Sequence, residues 1–348
     1  MTKQKSAPAP VFNTERDIAA VQNPKKMSLI ERNRASNGYY FKKLLGGGFL
    51  GIAKTILLFG LCFLILQPIF NQISISLMSS ADLFDPTVIA IPRNPSLANY
   101  RVAIHLMGYW GTLLRSLGIT LLVAVLQIIA CTLTAYGFAR FKFPFKRFWF
   151  VCVLLTIIVP PQTIMAPLFL NFRFFDVFGI FTLTTGEPLN LLDTLSGYLI
   201  LVATGMGLRS GLYVFMLRQY FRNMPKELEE AAYVDGCSRL RTFVQIMLPD
   251  AKPMLASCFL FAFVWQWTDG FYSTLFLREQ GVIAVQMVGL LDRFRQYYYG
   301  LVGVAPGPAV AQSMIATGML LGVIPLIILY SFTQRAFVES IGQSGLKM

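Results

Sequence analysis

The sequence has few of the side chains on which soluble enzymes rely. Only 14% of its 348 residues are charged, one histidine is present, and 55% of the residues are hydrophobic. A single histidine excludes a metal site built from several imidazoles. Soluble domains carry about 25% charged residues, so this apolar excess is too large for one buried core. The composition indicates a chain whose solvent is largely lipid.

The few cysteines do not form a metal-binding pattern either. Four lie in apolar runs and one lies in a polar loop, and none has metal-ligand spacing. We therefore expect five reduced, structural thiols. They are Cys62, Cys131, Cys152, Cys237 and Cys258.

A nucleotide-binding loop is also missing. The glycine-rich run that starts at Gly46 reaches Lys54-Thr55, but Ile52-Ala53 separates the last glycine from the lysine. A phosphate-binding loop needs glycine, lysine and serine or threonine in direct succession after a strand. No nucleophile–base pair or carboxylate pair suggests hydrolysis. We expect no catalytic residue, metal or cofactor on this chain. If the chain belongs to a pump, its energy source lies on another chain or in an ion gradient.

The positive charge of the chain does not indicate nucleic acid. The net charge is +13 at pH 7, but the basic residues lie between apolar blocks and not on one amphipathic face. Residues 1–43 are polar and far longer than the charged start of a secretory signal. We expect residues 1–48 to be a flexible cytoplasmic tail and residues 49–348 to form a transmembrane domain in contact with membrane lipid.

Six stretches contain the roughly 20 apolar residues that a helix needs to cross a bilayer. They lie at 52–77, 113–138, 148–171, 195–217, 253–277 and 312–334. We therefore predict an all-α integral membrane protein with six transmembrane helices. Pro160-Pro161 should kink or break the third span. Other prolines inside spans are tolerable because neighbouring groups can bind the carbonyls that proline leaves free.

The distribution of Lys and Arg predicts the orientation of the spans. Basic residues are about three times as numerous in one set of connecting segments as in the other, and cytoplasmic loops carry such an excess. We therefore place both termini in the cytoplasm. The basic segments are 1–43, 140–147, 218–252 and 335–348, and the outer segments are 78–115, 171–194 and 278–312. For the basic turn 140–147, a topology signal is favoured over specific lipid binding.

The cytoplasmic loop 218–252 contains the pattern of a short helix. Pro225 is followed by acidic residues, which suit the positive end of a helix dipole. Gly236 can end the helix in a left-handed conformation. We predict a helix over 226–238 that lies across the cytoplasmic face. Its small residues, Ala231 and Ala232, would fit a groove on a partner protein.

This loop closely resembles that of the permease subunits of ABC importers. Their hallmark is E-A-A, two variable residues, D-G, a nine-residue gap and I-x-L-P. The matching residues are Glu230, Ala231, Ala232, Asp235, Gly236, Ile246, Leu248 and Pro249. The resemblance implies the type I importer permease fold and a coupling helix that docks on an ATPase subunit, where ATP and Mg are bound. The alternative is an interfacial helix with no special purpose.

Other segments resemble the carbohydrate-importing branch, which includes the maltose permeases. They are Ala135–Phe141, Trp267–Phe271, Gln334–Glu339 and Gly345–Lys347, with Thr268 in place of a family Asn and Ser340 in place of a family Gly. The resemblance implies a sugar or oligosaccharide substrate and a bacterial inner-membrane location. It also implies three partners, namely a second homologous permease, an ATPase dimer and an extracytoplasmic solute-binding protein.

Several residues are candidates for the translocation pathway. Asp269 lies in an apolar helix, where a charge costs about 2.5–3.5 kcal/mol, so it should face a cavity or a partner. Arg209 is the candidate partner, and structural pairing and a pathway role both remain open. Two further pairs could line the path. Trp265 and Trp267 could stack on a sugar or pack in the core, and Gln162 and Thr163 follow the proline pair.

The outer loop 278–312 carries an aromatic and basic cluster. Its members are Arg293, Arg295, Tyr297, Tyr298 and Tyr299. The resemblance to maltose-type permeases implies contact with a binding protein. An aromatic belt at the membrane surface is the alternative.

Three alternative functions remain open. One is an ABC importer permease for a solute other than a sugar. Another is an ion-coupled transporter, which would show internal symmetry and paired intramembrane acids, whereas we find one buried acid and no clear repeat. The third is a membrane scaffold or enzyme with an incidental loop.

Overall fold

The computed structural model describes residues 39–345, with side chains described for residues 51–332 and Gln334. Most of the predicted tail and the end of the C-terminal motif lie outside this range. The first helices are α1 (Tyr39–Leu77), α2 (Ser80–Phe84), α3 (Ala98–Met107), α4 (Tyr109–Arg140), α5 (Lys146–Ile158), α6 (Met165–Arg173), α7 (Ile180–Thr185) and α8 (Leu195–Ala203). They are followed by α9 (Ser210–Asn223), α10 (Glu227–Val234), α11 (Arg239–Thr242), α12 (Leu248–Asp250), α13 (Lys252–Trp267), α14 (Phe271–Phe276), α15 (Ile283–Val288), α16 (Leu290–Val302) and α17 (Pro308–Gly345).

The secondary structure over residues 39–345 is helical, as expected. A 3₁₀ turn precedes α6 at Pro161–Ile164, a π-helical turn follows α11 at Phe243–Met247, and the only β-pairing is in two isolated bridges. The chain divides into a unit that ends at Asn71 and a larger unit that begins at Gln72. The described part of the first unit belongs to α1.

Three helices in the described range are long and apolar enough to cross a membrane. They lie at Gly51–Leu77, Tyr109–Arg140 and Pro308–Phe332. Two pairs of helices would add a span each if each bent pair crosses once. These pairs are Lys146–Ile158 with Pro161–Arg173, bent by 105°, and Arg239–Asp250 with Lys252–Trp267, bent by 75°. By length and composition, the structure therefore contains three to five candidate spans.

Two of the predicted spans are broken, and one of these breaks follows from its prolines. Helix α5 ends at Ile158, just before Pro160-Pro161, which confirms the break expected in the third span. The predicted fourth span is also broken, because residues 204–209 separate α8 from α9 and Gly205 has φ +77°. The buried Gln127 of α4 binds this unwound segment by donating to the carbonyl of Leu208 at 2.6 Å.

Side chains from two other helices bind backbone carbonyls beside the proline of α17. Pro325 has no N–H to donate to the carbonyl of Leu321, four residues earlier. The hydroxyl of Tyr109 donates to that carbonyl at 2.9 Å instead. The indole of Trp267 donates to the next carbonyl, at Gly322, at 3.0 Å. The Tyr109 bond supplies a partner where the helix cannot, and both buried bonds hold α17 against α4 and α13.

Helices α5 and α9 approach each other closely at Gly211. A Cβ placed on Gly211 would lie 2.2 Å from Oγ1 of Thr156 and 2.8 Å from the carbonyl oxygen of Val153. Small residues at helix crossings allow this kind of backbone approach in membrane proteins. The contact therefore needs glycine because of space, and not because of backbone conformation.

We predict that Gly211→Ala destabilises the chain by about 1–3 kcal/mol, the usual range for overpacking. The matched control is Gly118→Ala, because a Cβ at Gly118 would meet no atom within 4 Å. Thermal unfolding of the purified full-length chain in detergent measures both variants. Equal unfolding temperatures for the two variants would contradict the packing assignment.

Candidate functional site

The loop that carries the E-A-A pattern forms the helix that the sequence predicts. Helix α10 spans Glu227–Val234 and has Glu227, Glu229 and Glu230 in its first turn. It ends at Gly236, whose φ of +80° is left-handed. The amide of Cys237 donates to the carbonyl of Ala232 at 2.9 Å and the amide of Gly236 to that of Tyr233 at 3.1 Å. This is a Schellman motif, which fixes the end of the helix.

One face of α10 and the turn after it is exposed. Glu230, Ala231, Asp235 and Gly236 are exposed, whereas Ala232 packs inward with 3% of its surface accessible. Large apolar side chains lie on the same exposed segment. Val234 is 88% exposed and Leu240 is 72% exposed. Exposed apolar side chains of this size, with polar residues around them, indicate a surface for another protein.

The opposite face of α10 is attached to the bundle by Glu229. Its Oε1 lies 3.2 Å from Nε of Arg140, at the end of α4, with both side chains almost fully buried. The N–H direction makes this an ion pair and not a hydrogen bond. The hydroxyl of Tyr136 donates to the same oxygen at 3.1 Å, and Nη2 of Arg140 donates to the carbonyl of Met224 at 2.9 Å.

This contact was not identified from the sequence. Glu229 was one of several acids in a first helical turn, and Arg140 belonged to a basic turn taken as a topology signal. Their spacing along the chain gives no indication that they meet. The available signal was the apolar position of Tyr136 one turn before Arg140, because a buried hydroxyl needs a partner.

Aromatic rings surround this contact and connect it to the rest of the motif. The ring of Tyr136 lies 5.5 Å from that of Phe221 and 4.5 Å from that of Phe243. Phe243 begins the π-helical turn that leads to α12 and α13. In this stretch Ile246 and Leu248 are half-buried and Pro249 is exposed. Tyr136 and Phe243 therefore connect the Glu229 contact to the stretch that carries Ile246 and Leu248.

A cavity of about 410 Å³ lies beside the broken helices. Four of the predicted pathway residues line it: Gln162, Arg209, Trp265 and Asp269. Thr163 is not among the lining residues. Trp267 is 5% exposed and packs on Phe263. It is therefore a core residue and is not placed to stack on a sugar. The structure thus brings four of the six predicted pathway residues together and separates the two tryptophans.

Asp269 and its candidate partner Arg209 are not paired in the described structure, since no ion pair within 4.0 Å joins them. The guanidinium of Arg209 lies 4.1 Å above the ring of Trp265. Oδ1 of Asp269 accepts the amides of Phe271 and Tyr272 at 2.9 and 3.2 Å. The carboxylate therefore caps α14, and its Oδ2 has no described partner. Asp269 does line a cavity, as its cost in an apolar helix predicts.

The cluster predicted on the outer loop lies on helix α16 and divides into two sets. Arg293 and Tyr298 are half-buried, since Arg293 donates to the carbonyl of Gln286 and Tyr298 packs on Phe294. The exposed set consists of Arg295, Tyr297 and Tyr299, with Arg295 paired to Asp292 at 3.3 Å. Only the exposed set is available to a partner.

Comparisons with known proteins agree with these features. Residues 127–343 match the family described as binding-protein-dependent transport system inner membrane component. A probable ABC transporter permease protein of Pyrococcus horikoshii is 30% identical over 71% of this chain and 80% of its own length. An arabinooligosaccharides transport system permease protein of Bacillus subtilis is 26% identical over 85% of this chain and 95% of its own.

A solved structure has the same fold. It comes from a bacterial ABC transporter involved in the import of the acidic polysaccharide alginate, and it matches with a TM-score of 0.64. The match covers 84% of this chain and 98% of that chain, at 23% identity. The type I importer permease fold expected from the sequence is therefore confirmed. The chain belongs to the binding-protein-dependent inner membrane components, which are the permease subunits of ABC importers and not enzymes.

Proposed function

We propose that this chain forms half of the translocation pathway of an ATP-driven importer of sugars or oligosaccharides. The observation that carries the proposal is helix α10, which exposes Glu230 and Ala231 of the motif and is fixed to the bundle on its other face through Glu229. Relatives named for arabinooligosaccharide transport support the substrate class. A second, homologous permease would complete the pathway, and an ATPase dimer carrying ATP and Mg would bind α10.

We place six spans in the membrane with both termini inside. The long and bent helices supply up to five of them, and α8 with α9 would be the sixth, unwound at residues 204–209. Non-helical backbone at membrane depth is tolerated where it is buried in protein or lines a cavity. The cavity lining of Leu208 and Arg209 fits that rule. The positive-inside bias then puts α10 in the cytoplasm, on the side of the ATPase.

The proposed mechanism is alternating access driven through α10. Closure of the ATPase dimer moves α10, and the Glu229–Arg140 pair passes that motion to α4. The Phe243 turn passes it to α13, whose Trp265 lines the cavity. Because the contacts at both points are buried and packed, displacement of α10 would move these helices instead of bending the loop. The exposed residues of α16 would contact the solute-binding protein, and an aromatic membrane belt remains the alternative there.

A small anionic solute is the second candidate substrate. Arg209 gives the cavity a cation that no described carboxylate pairs with. A relative from Salmonella typhimurium, 24% identical over 84% of this chain, is named for sn-glycerol-3-phosphate transport. Arg209 also covers one face of the Trp265 ring, so a sugar would stack on the other face or displace the guanidinium. Family membership leaves no support for an ion-coupled transporter or a scaffold.

We predict that Glu229→Ala destabilises the assembled permease by about 3 kcal/mol, because it leaves Arg140 buried without its counter-charge. The control is Glu227→Ala, which removes an exposed acid from the same helical turn. Thermal unfolding gives the stability difference. The ratio of solute transported to ATP hydrolysed, measured in proteoliposomes, should fall only for Glu229→Ala. A wild-type ratio with that variant would refute transmission through this pair.

We predict that Val234→Asp weakens binding of the ATPase subunit at least about tenfold, as expected for an apolar anchor at an interface centre. Val304→Asp is the matched control, since Val304 is also exposed but lies in the proposed outer loop. Co-isolation of the ATPase with each variant, followed by solute-stimulated ATP hydrolysis, tests the docking role. Undiminished co-isolation with Val234→Asp would argue against α10 as the docking helix.

We predict that Trp265→Ala raises the KM for uptake of a neutral arabino-oligosaccharide about tenfold, because it removes a stacking surface from the cavity. Trp110→Ala, which truncates an exposed tryptophan on α4, serves as the control. Arg209→Asn tests the anionic alternative, since Asn tolerates the left-handed conformation of that residue (φ +60°). The second candidate would be favoured if the wild type takes up glycerol phosphate but not oligosaccharide, and if Arg209→Asn loses the uptake of glycerol phosphate.

A further inference from the structure

A groove rich in cations lies where the end of α4 and the start of α5 meet α9. Its volume is about 650 Å³. Five basic side chains line it and no carboxylate does: Lys142, Lys146, Arg147, Arg218 and Arg222. Residues that are far apart in sequence are thus brought together, since two of the five come from α9 and three from the α4–α5 turn.

The charge of this groove is not neutralised by any described residue. The three ion pairs of the described chain use other cations, and the nearby Glu229 is already bound to Arg140. Lys146 donates to the carbonyl of Phe141 at 2.8 Å and Arg218 to that of Phe138 at 3.4 Å. Both acceptors are neutral. The guanidinium groups of Arg218 and Arg222 line the same groove. Like charges held this close favour an anion between them.

Aromatic rings line the groove, and others are exposed on the adjoining turn and on α5. The guanidinium of Arg218 lies 3.7 Å above the ring of Phe150, which holds it in place. Beside the groove, on the turn and α5, Phe145 is 78% exposed, Phe148 59% and Trp149 52%. Aromatic side chains exposed beside basic ones are typical of the level of lipid headgroups. A soluble anion would leave these rings in water, whereas a lipid would cover them.

We infer that this groove binds the phosphate headgroup of an anionic phospholipid. Two side chains are free to donate to its oxygens, Arg147 and Arg222, because both are exposed and make no described hydrogen bond. The exposed aromatic side chains of the turn and of α5 contact its acyl chains. The sequence alone favours a topology signal for the turn 140–147. The structure adds two arginines from α9 to it and removes Arg140, which is buried in its pair with Glu229. The site is independent of the solute carried.

The test measures lipid binding to the purified full-length complex by native mass spectrometry. The probes are phosphatidylglycerol, zwitterionic phosphatidylcholine and inorganic phosphate. The variant Arg147→Gln/Arg222→Gln should bind phosphatidylglycerol about tenfold more weakly, because each basic residue at an anionic surface contributes appreciably. The control, Arg101→Gln/Arg173→Gln, removes two exposed arginines elsewhere and has the same net charge as the groove variant. It should bind phosphatidylglycerol like the wild type, and phosphatidylcholine should bind weakly to all three proteins.

Three results would overturn the inference. The first is equal affinity of the groove variant and the control for phosphatidylglycerol. The second is displacement of the lipid by millimolar inorganic phosphate, which would make the ligand a soluble phosphate. The third is loss of ATPase co-isolation in the groove variant with unchanged lipid binding, which would make this surface a protein interface. Retention of affinity in Arg147→Lys/Arg222→Lys would support recognition of the phosphate by charge.

Discussion

The contact between Glu229, Arg140 and Tyr136 joins an exposed helix to the membrane domain. A buried acid without its counter-charge costs several kcal/mol. The position of α10 on the bundle that keeps Glu229 paired with Arg140 is therefore the stable one. The helix can therefore present Val234 and the exposed motif residues Glu230 and Ala231 to a partner in a fixed position. The same pair anchors α10 to α4, which is the helix that also binds the unwound segment 204–209 through Gln127.

Polar side chains allow this chain to interrupt its helices at membrane depth. An unpaired carbonyl in hydrocarbon is costly, and two irregular places in the described helices have a partner from another helix. Tyr109 and Trp267 bind the carbonyls of α17 beside Pro325, and Gln127 binds the turn before α9. These partners make the breaks rigid. Rigid breaks place Gln162, Arg209 and Asp269 around one cavity.

Local patterns predicted the elements but not all of their side-chain partners. The start and end of α10 follow from Pro225 and Gly236, and the break after α5 follows from Pro160-Pro161, because these residues restrict their own backbone. Asp269 is not paired with its candidate partner Arg209, because backbone amides two and three residues ahead bind its Oδ1 and Arg209 lies over the ring of Trp265. Trp265 and Trp267 lie two residues apart in similar sequence surroundings but differ in position, because α13 directs Trp265 to the cavity and Trp267 to α17.

The sequence by itself determined the solvent of this chain, the helical fold class and the family. Apolar runs as long as a bilayer is thick, a basic excess on one set of loops, and the spacing from Glu230 to Pro249 are properties of the linear order. The tertiary structure alone decided which charges are paired. Arg140 is paired with Glu229 and does not line the cationic groove, whereas Arg218 and Arg222 of α9 line it together with the basic turn. Ion pairing depends on distances across the bundle, and these distances are fixed only when distant helices pack.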